Sequence, residues 1–306
     1  MYQFTGTGAV KSDGFKMGNI ILGMVFKIFE KLSWNNVQKA GRVVGIFFYY
    51  FFPIRKKIVL SNLNLALPQL KKEHKRIAKE QYSNMGQNIF EMFKMATASG
   101  LDILKLIKIE GWQNYLDALE NQKGIIVVTA HFGNFDLLAC SQAAKGVPLA
   151  IISKQLHSSK INNTWMKIRK RFGLTIFYDR TDAKKIVKWL RDGNVLGIVI
   201  DQRTSPEKGG VEIPFFNQPV WTSTASARLA LRTGATLLPV HIYRDNVGHT
   251  MVIDRQITVE STENNFENIK KISLLLNSCL ENWIRTSPGQ WMWMHRRFVG
   301  KKGYNL

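Results

Sequence analysis

The chain predicts an α/β fold, a mixed and largely parallel sheet flanked by helices, preceded by an N-terminal membrane-associated helical segment. Three observations carry this expectation. Short β-branched runs such as GIIVVTA (124–130) and VLGIVI (195–200) have the character of strands buried on both faces. Amphipathic stretches alternate with them, the pattern of a sheet built from helical crossovers. Ahead of both lie two apolar stretches with basic flanks.

Taken in order, residues 17–26 (MGNIILGMVF) form the first apolar stretch and residues 43–54 (VVGIFFYYFFPI) the second, which sits between Arg42 and Arg55-Lys56-Lys57. Neither reaches the roughly 20 residues that cross a bilayer, so the expectation is a segment lying in one leaflet with its cations on anionic lipid. Lysine and arginine favour the cytoplasmic side, which predicts a catalytic body on the cytoplasmic face. The opening residues lack the pattern of a cleaved leader. The expected organisation is a membrane-associating segment over 1–60 and an α/β domain over 61–306.

A helix is expected over 71–95, where Ile77, Tyr82, Met85, Ile89, Met92 and Phe93 recur at helical spacing. Strands follow at 124–130, 148–152, 174–177, 195–200, 235–243 and 249–259. Helices are expected at 134–144, at 160–172 (a basic one carrying Trp165, Ile168 and Arg169), after Thr181 as a cap, at 220–232 and at 264–285. Sheets of this kind place their chemistry beyond the C-terminal ends of strands.

Composition narrows the function. With 45% hydrophobic residues the chain can bury a substantial core. The 43 Lys and Arg against 22 Asp and Glu give a formal charge of +21, which selects an anionic partner: nucleic acid, an anionic lipid or an acidic protein. No zinc-finger spacing, glycine-rich RNA-binding loop or aromatic RNP strand is present, so nucleic acid is not expected. Cys140 and Cys279 are isolated and make neither a disulfide framework nor a metal knot. No HExxH or Cys/His ligand spacing predicts a metal site, no GxSxG elbow predicts a serine hydrolase, and no Rossmann or P-loop glycine pattern predicts a nucleotide cofactor. No cofactor is expected.

The residues that carry chemistry begin at His131, immediately after the 124–130 strand and within AHFGNFDLLA. Asp136 follows in the first turn of the next helix. A carboxylate there can fix one ring nitrogen and leave the other as a base. Gly133 permits a tight turn between them. The remaining histidines are scattered along the chain.

HFGNFD resembles the H-x-x-x-x-[D/E] block of the glycerolipid acyltransferase superfamily, and in particular its lipid A branch, the late lauroyl and myristoyl acyltransferases of Gram-negative bacteria. FYDR (177–180), DQRT (201–204) with GGVEIPFFNQPVWTSTA (209–225), LLPVHIYR (237–244) and SPGQWMWMHRRF (287–298) resemble that family's later blocks in the same order. The resemblance covers about residues 20–300. It departs at Asp136, where the lipid A branch usually carries glutamate. It implies an O-acyltransferase of the bacterial inner membrane. A fatty acyl group passes from a thioester to a hydroxyl of an anionic lipid A precursor, with another glycolipid or a lysophospholipid as the alternative acceptor.

On that reading His131 and Asp136 are catalytic. Arg180 binds acceptor phosphate, and Asp201 and Arg203 line the same crevice. Gly209 and Gly210, with Phe215, Phe216 and Trp221, shape the acyl-chain site, and Arg296 and Arg297 meet phosphate or membrane. The acyl donor is acyl carrier protein or acyl-coenzyme A. Acyl carrier protein is favoured because it is strongly acidic and the chain is strongly basic.

Overall fold

The computed structural model describes residues 20–154, 158–178, 181–246, 248–259, 263 and 265–300. Helices α1 (Ile20–Lys31), α2 (Trp34–Phe51) and α3 (Lys56–Ala66) lead through a 3-10 turn (Pro68–Glu73) into the long α4 (His74–Met95). A short α5 (Gly100–Leu104), β1 (Ile107–Glu110) and α6 (Trp112–Glu120) precede an alternating core. That core runs through β2 (Ile125–Thr129), α7 (Phe135–Ala144), β3 (Leu149–Ser153), α8 (Ser159–Arg171), β4 (Thr175–Tyr178), α9 (Ala183–Arg191) and β5 (Val195–Val199). A hairpin of β6 (Val211–Phe215) and β7 (Gln218–Thr222) comes next, then α10 (Ala225–Thr233), β8 (Thr236–Arg244), β9 (His249–Ile253) and α11 (Phe266–Thr286).

The main sheet has seven strands in the order β1-β9-β8-β2-β5-β3-β4. From β8 to β4 every pairing is parallel. β9 runs antiparallel to β8 and pairs in parallel with β1, so two reversed strands close one edge. β2 is central, and alternation along it feeds two cores. Ile126 and Val128 pack with Leu196, Leu237 and α11, while Ile125 packs with Leu137, Leu138 and Val195 on the α7 side.

The largely parallel sheet flanked by helices is the one expected, with local differences. Residues 220–222 are strand, not helix. Phe216 and Asn217, both with positive φ (51° and 59°), make a two-residue turn that pairs Ile213 with Val220, and the helix starts only at Ala225. The cap of α9 is Asp182 and not Thr181; its Oδ2 accepts the Tyr178 N–H at 2.9 Å. Strand β9 ends at Ile253, short of residue 259.

The N-terminal membrane-associated segment is corrected. Among the described residues no helix is long and apolar enough to cross a membrane. α2 packs one face on protein: Val37, Gly41, Gly45 and Tyr49 are buried, and the two glycines meet Gly86 of α4 backbone to backbone, while Val43, Phe47, Phe48, Tyr50 and Phe51 are exposed. A Cβ on Gly45 would come within 2.2 Å of the Tyr82 carbonyl, and one on Gly86 within 2.2 Å of the Gly41 carbonyl. The apolar run read along the sequence therefore mixes a helix-packing face with outward residues such as Phe47 and Phe51. The inner-membrane location implied by the resemblance is corrected by the same finding, that among the described residues no helix is long and apolar enough to cross a membrane.

Candidate active site

Strand β2 delivers His131 to the C-terminal edge of the sheet, and its neighbour β5 delivers Asp201 beside it. The backbones run together to that edge, with the Ile200 N–H donating to the Thr129 carbonyl at 3.0 Å. His131 Nδ1 donates to Asp201 Oδ1 at 2.9 Å, and the His131 backbone N–H donates to Oδ2 at 3.0 Å. Trp291 Nε1 donates to the same Oδ2 at 2.9 Å. Asp201 is fully buried, whereas 15% of the His131 side chain remains accessible.

The contacts of Asp201 fix the chemistry of the ring. A carboxylate on Nδ1 selects the tautomer that leaves the Nε2 lone pair free, and among the described residues Nε2 has no hydrogen-bond partner. Burial alone would lower the His131 pKa. The charge and hydrogen bond of Asp201, with a further contribution from Asp136, outweigh it and raise the pKa above 6.5. Burial would raise the Asp201 carboxyl, but the adjacent His131 and the Trp291 indole N–H hold it well below the carboxylate range.

Asp136, the partner expected for His131, is engaged elsewhere. Arg169 of α8 grips Oδ1 through Nε at 2.8 Å and Nη2 at 2.7 Å, and Trp165 Nε1 reaches Oδ2 at 3.1 Å. Asn134 caps α7 by accepting the Leu137 N–H, and the helix then starts with Asp136 turned toward α8. The site thus holds two carboxylate pairs, His131 with Asp201 and Asp136 with Arg169.

His295, from the segment after α11, brings its ring to 4.8 Å from that of His131. Burial lowers its pKa to about 4, so it is neutral at pH 7, and its Nε2 has no partner. Ligand atoms of His131, Asp201 and His295 lie within 4.8 Å of one another.

The other residues singled out from the sequence gather around the β6–β7 hairpin where they are described. Arg180 lies outside the described residues. Arg203 is exposed, and its backbone bridges to Thr222 at the base of the β6–β7 hairpin. Gly209 ends a 3-10 turn at φ +77°, and its carbonyl accepts the Thr224 hydroxyl at 2.7 Å. Gly210 is required by a close approach, since a Cβ there would sit 2.0 Å from the Thr204 carbonyl. Arg297 is 1% exposed and clamps the hairpin, donating to the Gln202 and Trp221 carbonyls, the Thr222 hydroxyl and Asn277. Phosphate contact by Arg297 is overturned by that burial.

Sequence reasoning missed Arg169, Trp165, Trp291 and His295 as site residues. Each belongs to an element that reaches the site only through tertiary packing. The one available signal was SPGQWMWMHRRF (287–298), a family-like block that contains Trp291 and His295; nothing marked Arg169 or Trp165.

The sequence profile described as bacterial lipid A biosynthesis acyltransferase matches residues 16–299. The chain is similar to the lipid A biosynthesis lauroyltransferase of Escherichia coli (strain K12), at 24% identity over 283 residues covering 90% of this chain and 89% of the relative. It is equally similar to the lipid A biosynthesis palmitoleoyltransferase of the same organism, at 24% over 286 residues with the same coverage. The phosphatidylinositol mannoside acyltransferase of Mycobacterium tuberculosis (strain CDC 1551 / Oshkosh) is 23% identical over 164 residues, 52% of this chain and 51% of that protein.

Proposed function

Since the chain belongs to the bacterial lipid A biosynthesis acyltransferase family, we propose that it moves a fatty acyl group from a thioester, carried by acyl carrier protein, onto a hydroxyl of a lipid A precursor. The observation that carries the chemistry is the His131–Asp201 pair, with Nδ1 bonded and Nε2 free.

His131 Nε2 takes the proton of the acceptor hydroxyl while its oxygen attacks the thioester carbonyl. Asp201 holds the ring and stabilises the imidazolium that forms. The tetrahedral oxyanion collapses, the C–S bond breaks, and the imidazolium returns its proton to the departing thiolate. The products are an ester and a free thiol. A thioester is already activated, so no covalent acyl-enzyme is required.

Arg169, held by Asp136, places a guanidinium beside this centre. Arg180 and Arg203 supply acceptor-phosphate contacts, for which a guanidinium is geometrically matched. The donor assignment is supported by the +21 charge, which favours docking of an acidic carrier. The lauroyl and palmitoleoyl relatives are equally similar to this chain, so chain length is not set by family membership. The mannoside relative keeps a second reading open, in which the acceptor is another glycolipid.

The test is mass spectrometry of a lipid A precursor incubated with the enzyme and acyl carrier protein thioesters of several lengths. A product heavier by one acyl group supports the reading, and its absence with every lipid A precursor removes it. In the same assay His131→Ala should lose roughly 10² to 10⁴ in rate while folding normally, and full activity in that variant would end His131's role as the base.

A further inference from the structure

Behind the active-site turn lies a charged cluster that the reaction does not touch. Glu91, on α4, is completely buried. Its Oε1 accepts from Arg244 Nη1 at 2.6 Å, Gln38 Nε2 at 2.7 Å and His249 Nε2 at 3.0 Å. Its Oε2 accepts from Arg244 Nη2 at 2.7 Å and Asn134 Nδ2 at 2.6 Å. Five donors saturate the two oxygens. Burial would raise this carboxyl, but the charges of His249 and Arg244 and their hydrogen bonds hold it well below its ordinary value.

Two of these connections lead directly to the turn that carries His131. Asn134 is the cap of α7, using its carbonyl for the Leu137 N–H and its amide for Glu91. Arg244 Nη2 also donates to Asn88 Oδ1 at 3.1 Å, and Asn88 Nδ2 donates to the Gly133 carbonyl at 2.6 Å. Gly133 itself sits at φ +54°, where a Cβ would come within 1.9 Å of the Ile242 carbonyl, so the turn is wedged against β8. From the other side the Gln290 carbonyl accepts the Gly133 N–H at 2.9 Å, and the Gln290 side chain bonds both backbone groups of Arg244 at 2.7 Å.

A buried ion pair contributes little net stability compared with a well-packed apolar replacement. What this one supplies is direction, because every donor on Glu91 is aimed and two of its tethers end on residues 133 and 134. We infer that Glu91 is a positioning residue that, through Asn134 and the Arg244–Asn88 relay, fixes the His131 turn at the geometry acyl transfer requires. The inference rests on His131 being the base. Displacing a reacting group by about 1 Å can cost on the order of 10² in rate, so the effect belongs in kcat and not in KM.

Glu91→Gln tests this but leaves Arg244 beside a neutral amide and risks misfolding. Asn134→Ser is the cleaner variant: serine still caps α7, Glu91 keeps Arg244 and with it the Asn88 relay to Gly133, and only the direct tether at residue 134 is lost. Steady-state kinetics of the full chain with acyl carrier protein thioester and lipid A precursor, alongside melting temperature, should show kcat about tenfold lower or more in Asn134→Ser. KM should stay within about twofold and the fold should remain intact. Asn88→Asp, which removes the donor to the Gly133 carbonyl, should behave alike. A folded Asn134→Ser with wild-type kcat, or with its loss confined to KM, overturns the inference. His131→Ala is run in parallel: if it is active the base assignment has failed, and if it is inactive while both asparagine variants are normal, only the positioning role has failed.

Discussion

At the scale of single residues the account turns on charge state. His131 must be neutral to accept a proton, so the rate should rise with pH through a midpoint above 6.5, the direction in which Asp201 moves it. Asp201→Asn removes the charge that raises this pKa and leaves the burial that lowers it. Its midpoint should therefore move down, with kcat lower by on the order of 10² to 10⁴. His295 works in the opposite sense. It is held neutral in the folded state with a pKa of about 4, among Asp201, His131, Arg55 and Arg297, whereas an unfolded histidine titrates near 6.5. The unfolded chain therefore takes up this proton first as pH falls, and stability should decline between about pH 6.5 and 4. Denaturant unfolding of His295→Gln should show a shallower decline over that window, by up to about 2–3 kcal/mol. An unchanged slope would remove His295 as a source of acid sensitivity.

At the scale of elements, two backbone approaches set the architecture around the site. One is Gly133 against Ile242; the other is the α2–α4 crossing at Gly41, Gly45 and Gly86. Neither neighbour is a flexible side-chain tip, so an added methyl cannot be absorbed locally. Gly86→Ala should destabilise by about 1–3 kcal/mol or more, seen as a melting temperature lower by roughly 5 °C. A melting temperature within a degree of wild type would mean that the helices separate more readily than the structure indicates.

The elements also show what the sequence could reveal. The buried strands ending at Thr129 and Val199 were legible because apolar β-branched runs have no other economical fate in a globular chain. That a histidine and an aspartate directly follow them was legible for the same reason. Their mutual contact was not, because it depends on β5 lying next to β2, an order that local periodicity does not encode. Asp136 seemed the natural partner because it is close in sequence, but helix direction after the Asn134 cap carries it to Arg169. The β6–β7 hairpin was missed because its turn is Phe216-Asn217, without the glycine that usually marks such turns.

At the scale of the whole molecule, the +21 charge is the feature most exposed to experiment. If it recruits an acidic carrier, KM for acyl carrier protein thioester should rise several-fold between low ionic strength and about 0.5 M salt, while kcat changes little. A salt-independent KM would count against an acidic protein donor. Charge predicts the sign of a partner but says nothing about where the chain resides. The apolar N-terminal run suggested a membrane segment, yet among the described residues no helix is long and apolar enough to cross a membrane, and within that run α2 turns Gly45 and Tyr49 into the protein, a division between faces that composition cannot show.

The most direct measurement is the pH dependence of acyl transfer under single-turnover conditions, compared among wild type, Asp201→Asn and Asp136→Asn. The account predicts a wild-type midpoint above 6.5, a large downward displacement with loss of rate in Asp201→Asn, and a smaller displacement in Asp136→Asn, whose charge reaches His131 only from a distance. An unmoved midpoint in folded Asp201→Asn, together with a large shift in Asp136→Asn, would contradict it and return the catalytic carboxylate to the helix α7.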